Sequence, residues 1–320
     1  MRGNESEMAA VIEEEDIFYR SHDDLLLYVR KFGSDELPGR PLLCLPGLTR
    51  NGRDFYSLAL ALATHSTNPR TVYCLDYRGR GRSQWDPDWR NYSAYVELLD
   101  VASFLTLRCL NNIAILGTSR GGIIAMLLAV MRPSAIGCLI LNDIGPVIET
   151  AGLARIMGYT GKIPVPRNWE EAARVARDIN KRQFTALDDA EWEILAHQMF
   201  NEADGRPAAS YDPLIGRALS EIDISKPVPA MWDHFDSVRK CPVLVLRGEN
   251  SDLLSPATVQ EMQARHPALA SAVILNEGHA PLLLDRFSQR LIADFLAEND
   301  AAWFSAADGS SPAVGSLRLP

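Results

Sequence analysis

Gly117-Thr118-Ser119-Arg120-Gly121 stands between the strand-like Ile113-Ala114-Ile115-Leu116 and an apolar run of helix length, Gly122 to Val130. A G-x-S-x-G pentapeptide joining strand to helix is a nucleophile elbow: a strained turn that pushes a serine oxygen clear of a sheet. The flanking glycines answer two steric demands, a positive φ in the tight turn and close approach of the strand and helix backbones. The pentapeptide alone is a moderate signal, and its setting makes it a strong one.

Apolar segments alternate with helix-length segments on both sides of the elbow. Asp16–Arg20 and Leu25–Arg30 flank the turn-prone Ser21-His22-Asp23-Asp24 and read as a hairpin. Pro41–Leu45 and Thr71–Leu75 read as strands, with a helix from Arg53 to Ala63 between them and another from Tyr95 to Cys109. Ile136–Leu141 follows the elbow helix as a further buried strand. From Val147 to Arg239 no strand is evident, only helical pieces such as Trp169–Lys181 and Asp189–Phe200. Strands resume with Pro242–Arg247 and Ala272–Leu275, and an amphipathic helix closes the pattern over Leu282–Leu296. This predicts an α/β class with a mostly parallel central sheet and helices on both faces. Residues 1–146 and 240–300 form its core, 147–239 an inserted helical cap over the carboxyl edge of the strands, and 301–320 a C-terminal tail, loose from Ala306 onward.

Composition narrows the function. The 320 residues are 47% hydrophobic, enough for one large domain carrying an insertion, and the net charge of −9 argues against a nucleic-acid surface. The one basic cluster, Arg78-Gly79-Arg80-Gly81-Arg82, reads as a turn with solvated side chains. It lacks the third glycine of a dinucleotide fingerprint and the Lys-Ser/Thr of a P-loop. Five cysteines without metal-like or C-x-x-C spacing read as free thiols. The polar, acidic N-terminus and the absence of any bilayer-length apolar run lead to the expectation of a soluble, cytoplasmic protein with no membrane partner.

A serine nucleophile needs an adjacent base oriented by a third group. Of six histidines, His279 lies just past the last strand, in Asn276-Glu277-Gly278-His279-Ala280-Pro281, where the carboxyl edge of the sheet meets its loops. His22, His65 and His266 fall at turns or helix ends and read as solvated; His197 reads as packed within the insertion, and His234 lies where the insertion returns to the core. Two carboxylates qualify as orienting group. Asp252 is preferred, because its loop shares a contiguous unit with the strand of His279. Asp143 follows the preceding core strand, and its other reading is a helix cap or an anchor for the insertion.

These motifs resemble the α/β-hydrolase superfamily over roughly residues 15–297, specifically its cap-bearing, esterase-like or lactonase-like serine enzymes. Leu45-Pro46-Gly47-Leu48 is similar to the oxyanion turn of that family, with Pro46 where histidine is usual. Asp76-Tyr77-Arg78-Gly79-Arg80-Gly81-Arg82-Ser83 is similar to its loop after the fourth strand. The resemblance puts Ser119, Asp252 and His279 in the nucleophile, acid and base positions, and the backbone N–H groups of Leu48 and Arg120 in the oxyanion hole. The Arg120 side chain has two readings, a substrate-carboxylate anchor or a structural contact beneath the cap. Met157, Trp232 and Phe235 are candidates to face the acyl chain. A serine cannot form the alkyl ester made by haloalkane dehalogenases and epoxide hydrolases, so acyl transfer from a small-molecule or polymeric ester is expected, with lactones and thioesters as variants. No metal or organic cofactor is required. The alternatives are a C–C bond hydrolase or lyase, with Arg50 or Arg120 as carboxylate anchor, and a hydrolase-fold binding protein with little turnover.

Overall fold

The computed structural model describes residues 12–307, with side chains to residue 300; residues 1–11 and 308–320 lie outside it, and with them the polar N-terminal stretch and most of the expected loose tail. Ten strands and ten helices are named here in chain order. The first half comprises β1 (Glu14–Arg20), β2 (Leu26–Phe32), β3 (Gly39–Leu45), α1 (Tyr56–Ala63), β4 (Arg70–Asp76), α2 (Ala94–Leu107), β5 (Ile113–Thr118), α3 (Arg120–Met131) and β6 (Ile136–Asn142). The insertion holds α4 (Thr150–Tyr159), α5 (Trp169–Asn180), α6 (Asp189–Met199), β7 (Phe200–Ala203), β8 (Arg206–Ala209), α7 (Leu214–Ser220) and α8 (Trp232–Asp236). The chain then returns to the core with β9 (Val243–Gly248), α9 (Pro256–Arg265), β10 (Leu269–Ile274) and α10 (Arg286–Ala307).

Eight strands form one sheet in the order β1-β2-β4-β3-β5-β6-β9-β10. Only the β1/β2 and β2/β4 pairs are antiparallel. Side chains in the parallel strands alternate strictly between two cores, as a period of two demands. Leu43 and Leu45 of β3, Ile115 of β5, Leu139 and Leu141 of β6 and Val245 of β9 face the layer of α2, α3 and α9. Their neighbours Leu42, Cys44, Leu116, Ile140 and Leu246 face the layer of α1 and α10.

Two expectations need correction. The insertion is not strandless: β7 and β8 form an antiparallel hairpin across Asp204-Gly205, both in the left-handed region. The last helix does not begin at Leu282. Leu283 has a φ of 59°, incompatible with helix, and Asp285 accepts the N–H of Ser288 as a cap, so the helix starts at Arg286.

The glycines of the elbow act by proximity. A Cβ at Gly121 would lie 2.1 Å from the Leu45 carbonyl oxygen, and one at Gly117 would lie 2.5 Å from the Gly121 carbonyl carbon. Neither has a positive φ; that demand falls on Ser119 itself, at φ 51°. Gly121→Ala should therefore force α3 away from β3 and cost about 1–3 kcal/mol, read as a lower urea midpoint at unchanged m value.

Candidate active site

The carboxyl ends of β3, β5, β6, β9 and β10 converge on one edge of the sheet, the usual ligand edge of a parallel α/β sheet. Ser119 sits between β5 and α3, and its N–H donates to the Asn142 carbonyl at the end of β6 (3.1 Å). His279 is carried by the loop after β10. Its Nε2 lies 2.8 Å from the Ser119 hydroxyl oxygen. Its Nδ1 lies 2.8 Å from Oδ2 of Asp143, in the loop after β6. Ser119 and His279, far apart in the chain, are thus brought into hydrogen-bond contact.

The preferred acid is not the one that meets the histidine. Asp252 gives both carboxylate oxygens to Arg155 of α4, at 2.6 and 2.9 Å, and makes no hydrogen bond to His279. Burial alone would push the Asp252 carboxyl up, but the Arg155 guanidinium, helped by the nearby His279, holds it below the ordinary carboxylate range. Asp143 is fully buried, and three donors converge on its carboxylate: the Gly248 N–H (2.8 Å), the Ser251 hydroxyl (2.6 Å) and His279. Chain order does not discriminate between them, since both aspartates lie between positions 119 and 279.

The histidine loop is held from the insertion by a residue that the sequence did not point to. Gln183 accepts the His279 N–H through Oε1 (2.8 Å), while its own carbonyl accepts from Asn250 (3.0 Å). No pattern in the sequence marks this glutamine. Gly278 makes the contact possible, because a Cβ there would lie 2.1 Å from Gln183 Oε1.

The Gly47–Leu48 turn lies beside the serine: a Cβ at Gly47 would be 3.9 Å from Ser119 Cβ. As the first residue of α3, Arg120 presents one of the N–H groups that every helix leaves unpaired at its start. Its side chain is engaged within the protein and does not line the cavity beside Ser119. Arg120 Nε donates to Glu97 at 2.9 Å, and a second nitrogen donates to the Tyr92 carbonyl. The structural reading of that arginine therefore holds over the carboxylate-anchor reading.

A cavity of about 160 Å³ opens at Ser119 and His279 beneath the insertion. Its walls are mainly apolar, with Ile156, Tyr159, Phe184, Leu195 and Tyr211 from the insertion, and Arg50 and Gln198 add polar groups. Arg50 is held bidentate by Asp54 at 2.8 and 2.6 Å. Met157, Trp232 and Phe235 do not line this cavity. Phe235 is buried in the main core, and Met157 and Trp232 pack against that core, the indole lying under the Arg265 guanidinium. In α4 the cavity takes Ile156 and Tyr159, the neighbours of Met157.

Three solvated readings also fail. Arg78 and Arg80 are fully buried, Arg78 among Asp23, Asp86 and Asp100. His266 is buried too, its Nε2 near the Val238 and Cys241 carbonyls. His197 stacks on Trp169. His22, Asp23 and Asp100 lie close enough to share a metal ion, but the Arg78 guanidinium already occupies both carboxylates.

The family model described as "Alpha/beta hydrolase family" matches residues 42–311. The chain is 34% identical over 254 residues to a 3-hydroxybutyrate-oligomer hydrolase of Cupriavidus necator, covering 77% of this chain and 84% of that protein. It is 26% identical over 249 residues to the mouse sn-1-specific diacylglycerol lipase ABHD11, covering 77% and 76% of the two chains. An alpha/beta hydrolase of Novosphingobium aromaticivorans superposes with a TM-score of 0.79 at 35% identity, over 90% of this chain and 99% of its own.

The loop that carries His279 also carries a pH dependence. Burial pushes the Glu277 carboxyl up to about 7, reinforced by the like charges of Asp285 and Glu191 and opposed by the Leu282 N–H that it accepts. A folded pKa above the unfolded value of about 4.3 means that its contribution is full below that pH and is lost as pH rises through 7. Glu277→Gln keeps the acceptor without the charge. Its melting temperature should match the wild type near pH ~4, exceed it by a margin that grows between pH ~4.3 and about 7, and keep that margin at higher pH; parallel curves would refute the assignment.

Proposed function

The chain belongs to the alpha/beta hydrolase family, and on that premise we propose that it cleaves carboxylic esters through a serine acyl-enzyme. The observation that carries this reading is the unbroken hydrogen-bonded series Ser119–His279–Asp143, whose first two members line the cavity. Ser119 attacks the acyl carbonyl as His279 Nε2 takes its proton. Asp143 holds the imidazole through Nδ1 and stabilises the cation that forms. The leaving alcohol departs with the proton from His279, and water then repeats the sequence on the acyl-enzyme.

The tetrahedral oxyanion is received by the N–H groups of Leu48 and Arg120. The start of α3 adds favourable partial charge there. Residues 147–239 act as a cap that closes the cavity and supplies most of its apolar wall. The substrate class is a small or oligomeric ester with a short, weakly polar acyl unit. This is supported by the mainly apolar cavity and by the likeness to a protein named as a 3-hydroxybutyrate-oligomer hydrolase. None of the steps calls for a metal or organic cofactor.

Purified protein should hydrolyse p-nitrophenyl acetate and butyrate, and 3-hydroxybutyrate dimers and trimers. Ser119→Ala should lower kcat by several orders of magnitude, up to about 10⁶. Equal turnover by both proteins would refute the mechanism.

The two aspartates provide a separate test. Asp143→Asn, which presents the wrong hydrogen-bonding partner to the imidazole, should lower kcat by about 10⁴. Asp252→Asn should leave kcat within about tenfold of wild type, since it acts on the Arg155 contact and not on the imidazole. A reversed ranking would restore Asp252 as the acid.

A further inference from the structure

We propose that Arg80, Glu97 and Arg120 form a largely buried ionic brace that sets the spacing of the two oxyanion donors; this rests on the serine-hydrolase reading above. Arg80, in the loop after β4, is fully buried. Its Nε donates to the Leu48 carbonyl at 2.8 Å, and its Nη1 lies 2.8 Å from Glu97 Oε1. Glu97, equally buried on α2, accepts Arg120 Nε on its other oxygen at 2.9 Å. One carboxylate thus joins two guanidiniums, and each guanidinium acts on one of the residues whose N–H faces the reacting oxygen.

The Leu48 end is held on both of its peptide planes. The Gly47 carbonyl, in the same plane as the Leu48 N–H, accepts the Arg50 N–H at 3.1 Å. Arg80 holds the plane that follows. Arg80 is itself clamped by the insertion: the Gly81 N–H donates to the Ser210 carbonyl (2.7 Å), and the Asp212 N–H donates to the Gly79 carbonyl (2.8 Å). At the other end, tension on the Arg120 side chain acts at the first residue of α3, whose N–H is the second donor.

A largely buried ion trio is a poor source of stability compared with apolar packing of the same volume. What it supplies is orientation: Arg80 Nε to the Leu48 carbonyl and Arg120 Nε to Glu97 are directional hydrogen bonds from planar guanidiniums, and the Arg80–Glu97 ion pair couples the two. The trio also carries one net positive charge, spanning the two donors that receive a developing anion. Arg80, Glu97 and Arg120 are positioning residues, acting through the backbone of the site.

The test uses Arg80→Lys, Glu97→Gln and Arg120→Met in the full chain, with kcat and KM measured on an aryl oxoester and its thionoester. Arg120→Met leaves the Arg80–Glu97 pair whole, so it reads the brace even where Glu97→Gln does not fold. Misaligned donors should lower kcat on the oxoester about 10- to 100-fold with KM within about threefold. Phenylboronic acid, which forms a tetrahedral adduct, should bind more weakly by a similar factor. The thionoester, whose sulfur makes less use of N–H donors, should lose less. Folded variants with wild-type kcat, or with equal losses on both esters, would overturn the brace alone. Absence of Ser119-dependent turnover in the wild type would instead remove the parent reading, and the brace with it.

Discussion

Ser119 adopts a backbone conformation that a side-chain-bearing residue rarely holds, with φ 51° and ψ −112°, and the surrounding packing leaves it no alternative. The first turn of α3 approaches β3 and β5 so closely that Gly117 and Gly121 have no room for a Cβ, and the Ile144 side chain past β6 leaves none at Gly122. With those contacts in place, the reversal from strand to helix must be completed at residue 119. The Ser119 N–H then reaches the Asn142 carbonyl at the end of β6. Immediately after it, Asp143 takes the same left-handed region, at φ 55°. Two adjacent strands therefore end in matched reversals, and the serine and the carboxylate face the same space.

That pairing explains why the carboxylate that meets His279 comes from the end of β6. Asp143 is fastened from the β9 side by the Gly248 N–H and the Ser251 hydroxyl, and its remaining position faces the imidazole. Asp252 leaves the same sheet edge one strand further out, where α4 approaches. The close fit of Gly152 against the Asp252 backbone brings Arg155 within bidentate reach. A carboxylate already bonded on both oxygens to a guanidinium has little to offer a histidine. Asp252 instead secures the first helix of the insertion to the core, together with the Gly152 N–H that its carbonyl accepts.

The elbow, the parallel strands and the position of His279 were legible because each rests on local pattern: glycine spacing, short apolar runs, a turn after the last strand. Which aspartate meets the imidazole was not, because both follow buried strands and only the packing of α4 separates them. The hairpin in the insertion did leave a mark. Asp204-Gly205 between two short segments is the strongest short-range hairpin signal, and the flanking Phe200–Ala203 and Arg206–Ala209 lack the β-branched residues that would have drawn attention to it. The cavity lining was hidden for a different reason. Helical periodicity identifies the buried face of α4, but whether Met157 or its neighbours Ile156 and Tyr159 meet the cavity depends on rotation by about one residue.

The arginine cluster after β4 shows how sequence proximity conceals opposite electrostatics. Arg78 and Arg80 are two residues apart and both buried, yet their partners come from different parts of the chain. Three carboxylates, of Asp23, Asp86 and Asp100, surround Arg78 and leave an excess of negative charge; burial, opposed by the Arg78 guanidinium, pushes the Asp100 carboxyl up to about 6. Arg80 shares a single carboxylate, that of Glu97, with Arg120, which leaves an excess of positive charge. The negative surplus faces the β1–β2 hairpin, and the positive one faces Leu48 and the start of α3. Because interactions between charges strengthen as water is excluded, this division matters most at the buried end of the loop. Under the proposed mechanism, an anion forming beside Ser119 would have this net positive trio nearby. The same arrangement disfavours anionic charge at the hairpin end.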